Sequence, residues 1–367
     1  MTRHGGSGSL LGAALAALLV AAAGCGARSP AGGAASAATT AAVERFTCPP
    51  AAAHPIPARG RVGRRGPLRV LTTVAPITSI VANVAGDRAQ VTGIIPEGSD
   101  SHTYEPKPSA ATAMARADVV FVNGLGLEDP TAQLARASLR PGAPVVALGT
   151  LTIAPSQEIY DFSFPRAAGK PNPHLWTNPP MARCYATIAA GALAALDPPN
   201  AAVYRANASA FGAKVDALDA AMVAATRSMP ARSRELLTYH DAYAYFAVHY
   251  GWRIIGAIQV SSFEDPTPRE VTRLIEQVRA EHVPAIFGSE VFPSTVLGQI
   301  AAETGARYVD KLRDDDLPGR PGDPEHSYLG LIRFDFVTMV ANLGGDASGL
   351  RRVDIGDVHP DRASYPQ

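Results

Sequence analysis

The strongest constraint on the fold is one run, residues 200–229, NAAVYRANASAFGAKVDALDAAMVAATRSM, which contains no proline and one glycine. Val215, Leu218, Met222 and Val223 form an apolar stripe at helical spacing. At ~1.5 Å per residue such a helix reaches ~45 Å, about the length of a domain. On both sides of it, short apolar runs alternate with alanine-rich segments. Leu68–Val74, Val91–Ile95, Asp118–Asn123 and Val145–Leu148 read as buried strands before it, with helical segments at Pro76–Ala85, Ser109–Ala117 and Asp129–Ala137. Glu235–Tyr239, Arg253–Gln259, Ala285–Ser289 and Arg307–Val309 read as strands after it. Thr267-Pro268-Arg269-Glu270 has the cap, proline and glutamate of a helix start. This βαβα order predicts two α/β lobes with mostly parallel sheets. The long helix either joins them or belongs to one of them.

At 367 residues the chain is long enough for two cores. Its net charge is zero and it has no basic stripe, which argues against nucleic acid as a partner. Leu10 to Ala23 is an apolar run too short to span a ~30 Å hydrocarbon core, and it ends in Ala22-Ala23-Gly24-Cys25. That is the layout of a secretory signal. It also resembles a bacterial lipobox, in which the cysteine is lipidated, although Ala22 stands where leucine is usual. An ordinary signal peptide with an incidental Cys25 is the alternative. The expected order is therefore a signal at 1–24, a lipidated cysteine and flexible tether at 25–66, and a first lobe at 67–198. The linking helix at 199–229, a second lobe at 230–345 and a tail at 346–367 complete it. Cys48 and Cys184 remain in the mature chain, and in an exported protein they can pair.

In open α/β sheets, ligands bind beyond the carboxyl ends of strands. His102, His174, His240 and Asp310 occupy such positions, two in each expected lobe. Imidazole nitrogens with one carboxylate suit Zn²⁺ or Mn²⁺, and four protein donors close a tetrahedral site. Spacing alone does not separate these residues from solvated or hydrogen-bonded histidines, the reading given to His4, His54, His249, His282, His326 and His359. Gly124-Leu125-Gly126 lacks the third glycine of a dinucleotide loop. Asp314-Asp315-Asp316 reads as a solvated acidic loop without calcium-site spacing.

Several segments then agree with one another. SDSHTYEPKPS, NGLGLED, NPHLWTNP, YHDAYAYFAVHYG, IQVSSFEDPTPREVTRLIEQV, IFGSEVFPS and a late YVD occur in order between Leu68 and Gly344. Together they resemble the zinc and manganese solute-binding proteins of bacterial ABC importers. The resemblance implies two Rossmann-like lobes joined by a single long rigid helix, with the metal in the cleft between them. It places the ligands on His102, His174, His240 and Asp310. It makes Glu290 a cleft-lining residue; Glu105 and Asp241, close to these ligands in sequence, are candidates for carboxylates behind them or plain surface carboxylates, and Trp176 is expected to pack near the site. Ser101 stands where the family has proline, Asn172 where it has an acid and Tyr239 where serine is common. The long histidine-rich loop of many zinc receptors is missing between His102 and His174.

Manganese receptors of this kind often carry glutamate at the third position, where this chain has His240. Three imidazoles and a carboxylate favour zinc. The expectation is a monomeric, non-enzymatic lipoprotein on the outer face of the cell membrane. It would capture Zn²⁺ and deliver it to an ABC permease. A manganese or dual receptor, an exported zinc hydrolase using Asp310 as base, and a surface adhesin are the alternatives.

Overall fold

The computed structural model describes residues 46–50, 66–259, 266–289 and 294–366. The expected signal segment, Cys25, most of the tether and Glu290 lie outside the described residues.

Strands β1 (Leu68–Thr72), β2 (Ala89–Gly93), β3 (Val119–Val122) and β4 (Val145–Ala147) form a parallel sheet in the order β2-β1-β3-β4. Strands β5 (Glu235–Thr238), β6 (Arg253–Ala257), β7 (Ala285–Ser289) and β8 (Arg307–Leu312) form a second parallel sheet in the equivalent order β6-β5-β7-β8. Each sheet winds outward in both directions from a central pair, β1 with β3 and β5 with β7. The first lobe carries α1 (Ala75–Ala85), α2 (Pro108–Arg116), α3 (Asp129–Ser138), α4 (Leu148–Thr152) and α5 (Pro179–Leu196). The long run becomes α6 (Ala201–Ser228). Then come α7 (Ala244–Tyr250), α8 (Pro268–Glu281), α9 (Thr295–Thr304), α10 (Tyr328–Asn342) and α11 (Ser348–Arg351).

Side chains alternate across a strand, so each sheet divides its residues between two layers. Val70, Val119 and Phe121 face one core, while Leu71, Val120 and Val122 face another, under α2 and α3. In the second sheet Leu236, Ala285 and Phe287 face the first of these cores, and Leu237 and Ile286 face a third, under α8 and α9. The inner faces of both sheets therefore share one continuous apolar core. Its helical layer includes α6, which buries Tyr204, Phe211, Val215, Leu218 and Met222 along one stripe against α5, α1 and α10. A helix of this length embedded in a shared core is a stiff connection.

The capping box opens α8 as expected: Glu270 N–H donates to Thr267 Oγ1, and Thr267 N–H donates to a Glu270 carboxylate oxygen at 2.8 Å. Cys48 and Cys184 form a disulfide with Cα atoms 5.4 Å apart, tying residues 46–50 to α5. Closing a loop of 136 residues removes up to roughly 5 kcal/mol of unfolded-chain entropy. The segment expected as a tail folds back on the first lobe. Ser364 N–H donates to Val91 O, and Gly93 N–H donates to Ser364 O, in a short parallel bridge along β2. Asn83 on α1 holds the same segment through Asp357 and Val358 N–H.

Candidate metal centre

Every functional side chain of the centre sits where a strand has ended or a helix is about to begin. After β2 the chain turns through Gly98 and Asp100, and Asp100 Oδ1 accepts the His102 N–H at 2.9 Å. Asn172 builds the second position: its Oδ1 accepts both the backbone N–H of His174 (3.1 Å) and ring Nδ1–H (2.8 Å). The Asn172 amide nitrogen donates to Asp241 O and Asp161 Oδ2, so the oxygen end must face His174. His240 follows β5 directly, and its Nδ1–H donates to Gln259 Oε1 at 2.5 Å. Asp315 follows β8 in a turn set by Asp314, whose φ of 31° is stabilised by its own carboxylate accepting Ser289 Oγ–H and Asp315 N–H. Trp176 Nε1–H donates to Asp314 O at 2.9 Å, pinning this turn of the second lobe to the first.

The donors converge. His174 Nε2 lies 2.8 Å from His240 Nε2 and 3.2 Å from His102 Nε2. Asp315 Oδ1 lies 3.9 Å from His174 Nε2 and 4.0 Å from His240 Nε2. One ligand atom from each of His102, His174, His240 and Asp315 falls within 4.8 Å of all the others. The Asp315 carboxylate is split in use: Oδ2 accepts Ser101 Oγ–H at 2.8 Å, while buried Oδ1 has no hydrogen-bond partner. Because Asn172 and Gln259 present oxygen to Nδ1, the neutral forms of His174 and His240 carry their proton there. Their bare Nε2 lone pairs then face each other at 2.8 Å, which is repulsive unless a positive charge joins them. The residues therefore fit a divalent cation held by three imidazoles and one carboxylate oxygen.

Electrostatics divides this set. Burial, then the charge of His240, holds His102 and His174 well below the ordinary imidazole range. Burial alone would lower His240 too, but the Asp314 and Asp315 carboxylates raise it above its ordinary value. Burial pushes Asp315 up to about 7 against the pull of His240.

The structure brings together three of the four residues singled out in the sequence and replaces the fourth. Asp310 is exposed and lies inside β8, beside Tyr308, away from the imidazoles. The strand does not stop at Val309 but runs to Leu312, so the carboxylate delivered past its end is Asp315. The acidic run 314–316, expected to be solvated, is instead buried at 2%, 3% and 8% exposure. Glu105 is exposed and takes no part. Asp241 is buried beside the cluster, accepting Ser163 N–H at 2.9 Å while its carbonyl holds Asn172. Trp176 stacks edge-on to His174 with centroids 5.1 Å apart. Ser101, which stands where the family has proline, is the partner of Asp315 and is 1% exposed. Asn172, noted in the sequence only as a departure from the family's acid, orients His174, and Gln259 was not anticipated as an orienting group. The only sequence signal was a polar residue at the close of an apolar strand and an Asn-Pro-His triplet. His249 has the bland role expected of it, paired with Asp219 at 2.7 Å.

The family model for the zinc-uptake complex component A, periplasmic, matches residues 70–342. The iron-binding protein YfeA of Yersinia pestis is 30% identical over 276 residues, covering 75% of this chain and 86% of that protein. The manganese-binding lipoprotein MntA of Halalkalibacterium halodurans is 27% identical over 277 residues, covering 75% and 88%. Among solved structures, the periplasmic zinc binding protein TroA from Treponema pallidum superposes with a TM-score of 0.68 at 25% identity, covering 76% of this chain and 99% of that one. The parallel-sheet lobes, the converging imidazoles and a family match across most of the folded chain lead to one assignment. The chain belongs to the zinc-uptake component A family of metal-binding solute-binding proteins.

Proposed function

We propose that this chain captures Zn²⁺ outside the cytoplasmic membrane and hands it to the membrane subunit of an ABC importer. The observation that carries the reading is the donor set. Three Nε2 atoms and one carboxylate oxygen, with the second oxygen of Asp315 engaged by Ser101, offer four donors in a buried site. That number and softness suit tetrahedral zinc better than manganese, which takes more oxygen donors. A manganese or dual receptor is the second reading, favoured by the relative named for manganese binding. A zinc hydrolase has less support, because a fourth protein donor occupies the position that an activated water needs.

Two donors come from each lobe, so the ion itself joins them. The shared core and α6 favour release by small movements of the loops carrying His240 or Asp315 over a wide opening of the lobes. His102 is the ligand with partial exposure, and it lines a small cavity of about 80 Å³ with Phe164, Lys170 and Pro173, a route by which the ion reaches solvent. Cys25 is proposed as the lipid anchor, in keeping with relatives named as lipoproteins, and the receptor is proposed to act as a monomer. Among the described residues no helix is long and apolar enough to cross a membrane.

Titration of the soluble domain with Zn²⁺ and Mn²⁺, repeated with His240→Glu, tests the reading. Zinc should bind more tightly than manganese to the wild type, and the substitution should narrow the gap. A wild type without zinc preference, together with unchanged relative affinities in the variant, would overturn it.

A further inference from the structure

His326 lies just ahead of α10, beneath the returning C-terminal segment. Its side chain is 2% exposed, and neither Nδ1 nor Nε2 has a hydrogen-bond partner. A buried polar atom left unpaired costs on the order of 1–3 kcal/mol, and this ring has two. Packing nevertheless holds the ring firmly, edge-on to Tyr365 with centroids 4.8 Å apart. His326 N–H donates to Asp323 O at 3.0 Å, which sets the backbone.

His326 Nε2 stands 3.7 Å from Oε2 of Glu97. That is too long for a hydrogen bond. It is close to the spacing of imidazole and carboxylate in the metal centre, where Asp315 Oδ1 lies 3.9 and 4.0 Å from two Nε2 atoms. Two donors each about 2.0–2.2 Å from one ion reach such a separation at an angle of about 125°. Glu97 is anchored through Oε1, which accepts Leu317 N–H at 3.3 Å, and this turns Oε2 toward His326. His326 also lines a surface cavity of about 500 Å³ whose walls carry Asp323, Asp357 and Asp361. Among the described residues lining it there is no lysine or arginine. Asn83 holds Asp357 and the Tyr365 hydroxyl holds Asp361, so these carboxylates form fixed parts of a wall that attracts cations.

We propose that His326 and Glu97 form a second, weaker site for a divalent transition-metal cation, entered from this cavity. An imidazole–carboxylate pair selects ions such as Zn²⁺ over Ca²⁺ or Mg²⁺, which prefer all-oxygen shells. Two protein donors rather than four make it weaker than the cleft. The site stands independently of which ion the cleft takes.

Equilibrium dialysis of the wild-type chain against rising Zn²⁺, with metal analysis, should reach two ions per chain, one bound tightly and one weakly. His326→Ala should lose the weak ion and keep the affinity of the tight one within about two-fold. Glu97→Gln, which keeps the shape of the side chain, should weaken the second ion in the same direction. The retained tight site reports that each variant has folded. A wild type that saturates at one ion overturns the proposal, as does a second ion that survives in both variants.

Discussion

The two lobes repeat one sheet topology but prepare their donors in opposite ways. The first lobe supplies His102, partly exposed, and His174, buried, both held neutral because an added proton would meet low dielectric and the charge of His240. The second supplies His240 and Asp315, whose mutual attraction raises the proton affinity of the imidazole and partly offsets the burial of the carboxyl. One half of the site is ready for a cation at any ordinary pH. The other must give up protons to receive it. The comparison teaches that symmetry of fold does not carry over to electrostatics: the acidic turn 314–316, which has no counterpart among the first lobe's ligands, makes the difference.

The largest expected effect separates the two aspartates of the second lobe. Asp315→Ala should lower zinc affinity by at least about a hundred-fold, whereas Asp310→Ala should change it by less than about two-fold. Competition with a chelator of known affinity measures both, and equal losses would return Asp310 to the site. Next come the orienting amides. Asn172→Ala in the first lobe and Gln259→Ala in the second should each cost roughly 10–100-fold, because each leaves a ligand ring without its Nδ1 partner. A neutral result for either would mean that packing alone aligns that ring.

The gentlest test is of protons. As pH falls through about 7, Asp315 gains a proton, and His240, whose proton affinity is raised in the folded chain, takes up its own before the first lobe's imidazoles do. Binding must then displace both, so the logarithm of zinc affinity should fall with decreasing pH at a slope approaching about two. His102 and His174, shifted well below the ordinary range, add nothing until the solution is far more acidic. Chelator competition between pH 5 and 8 gives the slope. A slope near one would leave only one proton in competition, and a steeper fall would bring the first lobe's imidazoles into it.

Much of this arrangement was legible in the residues. Eight apolar runs became eight strands, and the breaker-poor stretch became α6. The three converging histidines lay past strand ends or in a proline-bounded loop, and only the agreement of several segments with one family singled them out. The carboxylate was misplaced, because the end of β8 is ambiguous in YVDKL: Asp310 follows an apolar pair, yet Leu312 continues the inward face two residues further on. Three consecutive aspartates look solvated until the partners of the turn are known. Those partners, Ser101 for Asp315, Gly98 N–H for Asp316 and Ser289 for Asp314, come partly from the other lobe, more than 200 residues away. Local pattern cannot show contacts of that range. The orienting amides were hidden for the same reason, since Asn172 is held by Asp241, 69 residues on. The segment after Gly345 looked like a tail because its few apolar residues lack periodicity. It is ordered by Ala347, Leu350 and Ile355, which enter the shared core at irregular spacing, and by hydrogen bonds to α1 and β2.

The bridge between Ser364 and the edge of β2 also bears on how the protein is made. With residues 46–50 fastened to α5 at one end and residues 357–364 fastened to α1 and β2 at the other, the second lobe is topologically an insertion within the first. A ribosome delivers the strands of the first sheet early, yet the segment that covers the β2 edge emerges only after the entire second lobe. Until then the nascent sheet presents an open row of backbone donors and acceptors, the kind of surface that recruits other strands. A chain cut short before Ser364 would retain every proposed metal ligand and still leave that edge bare.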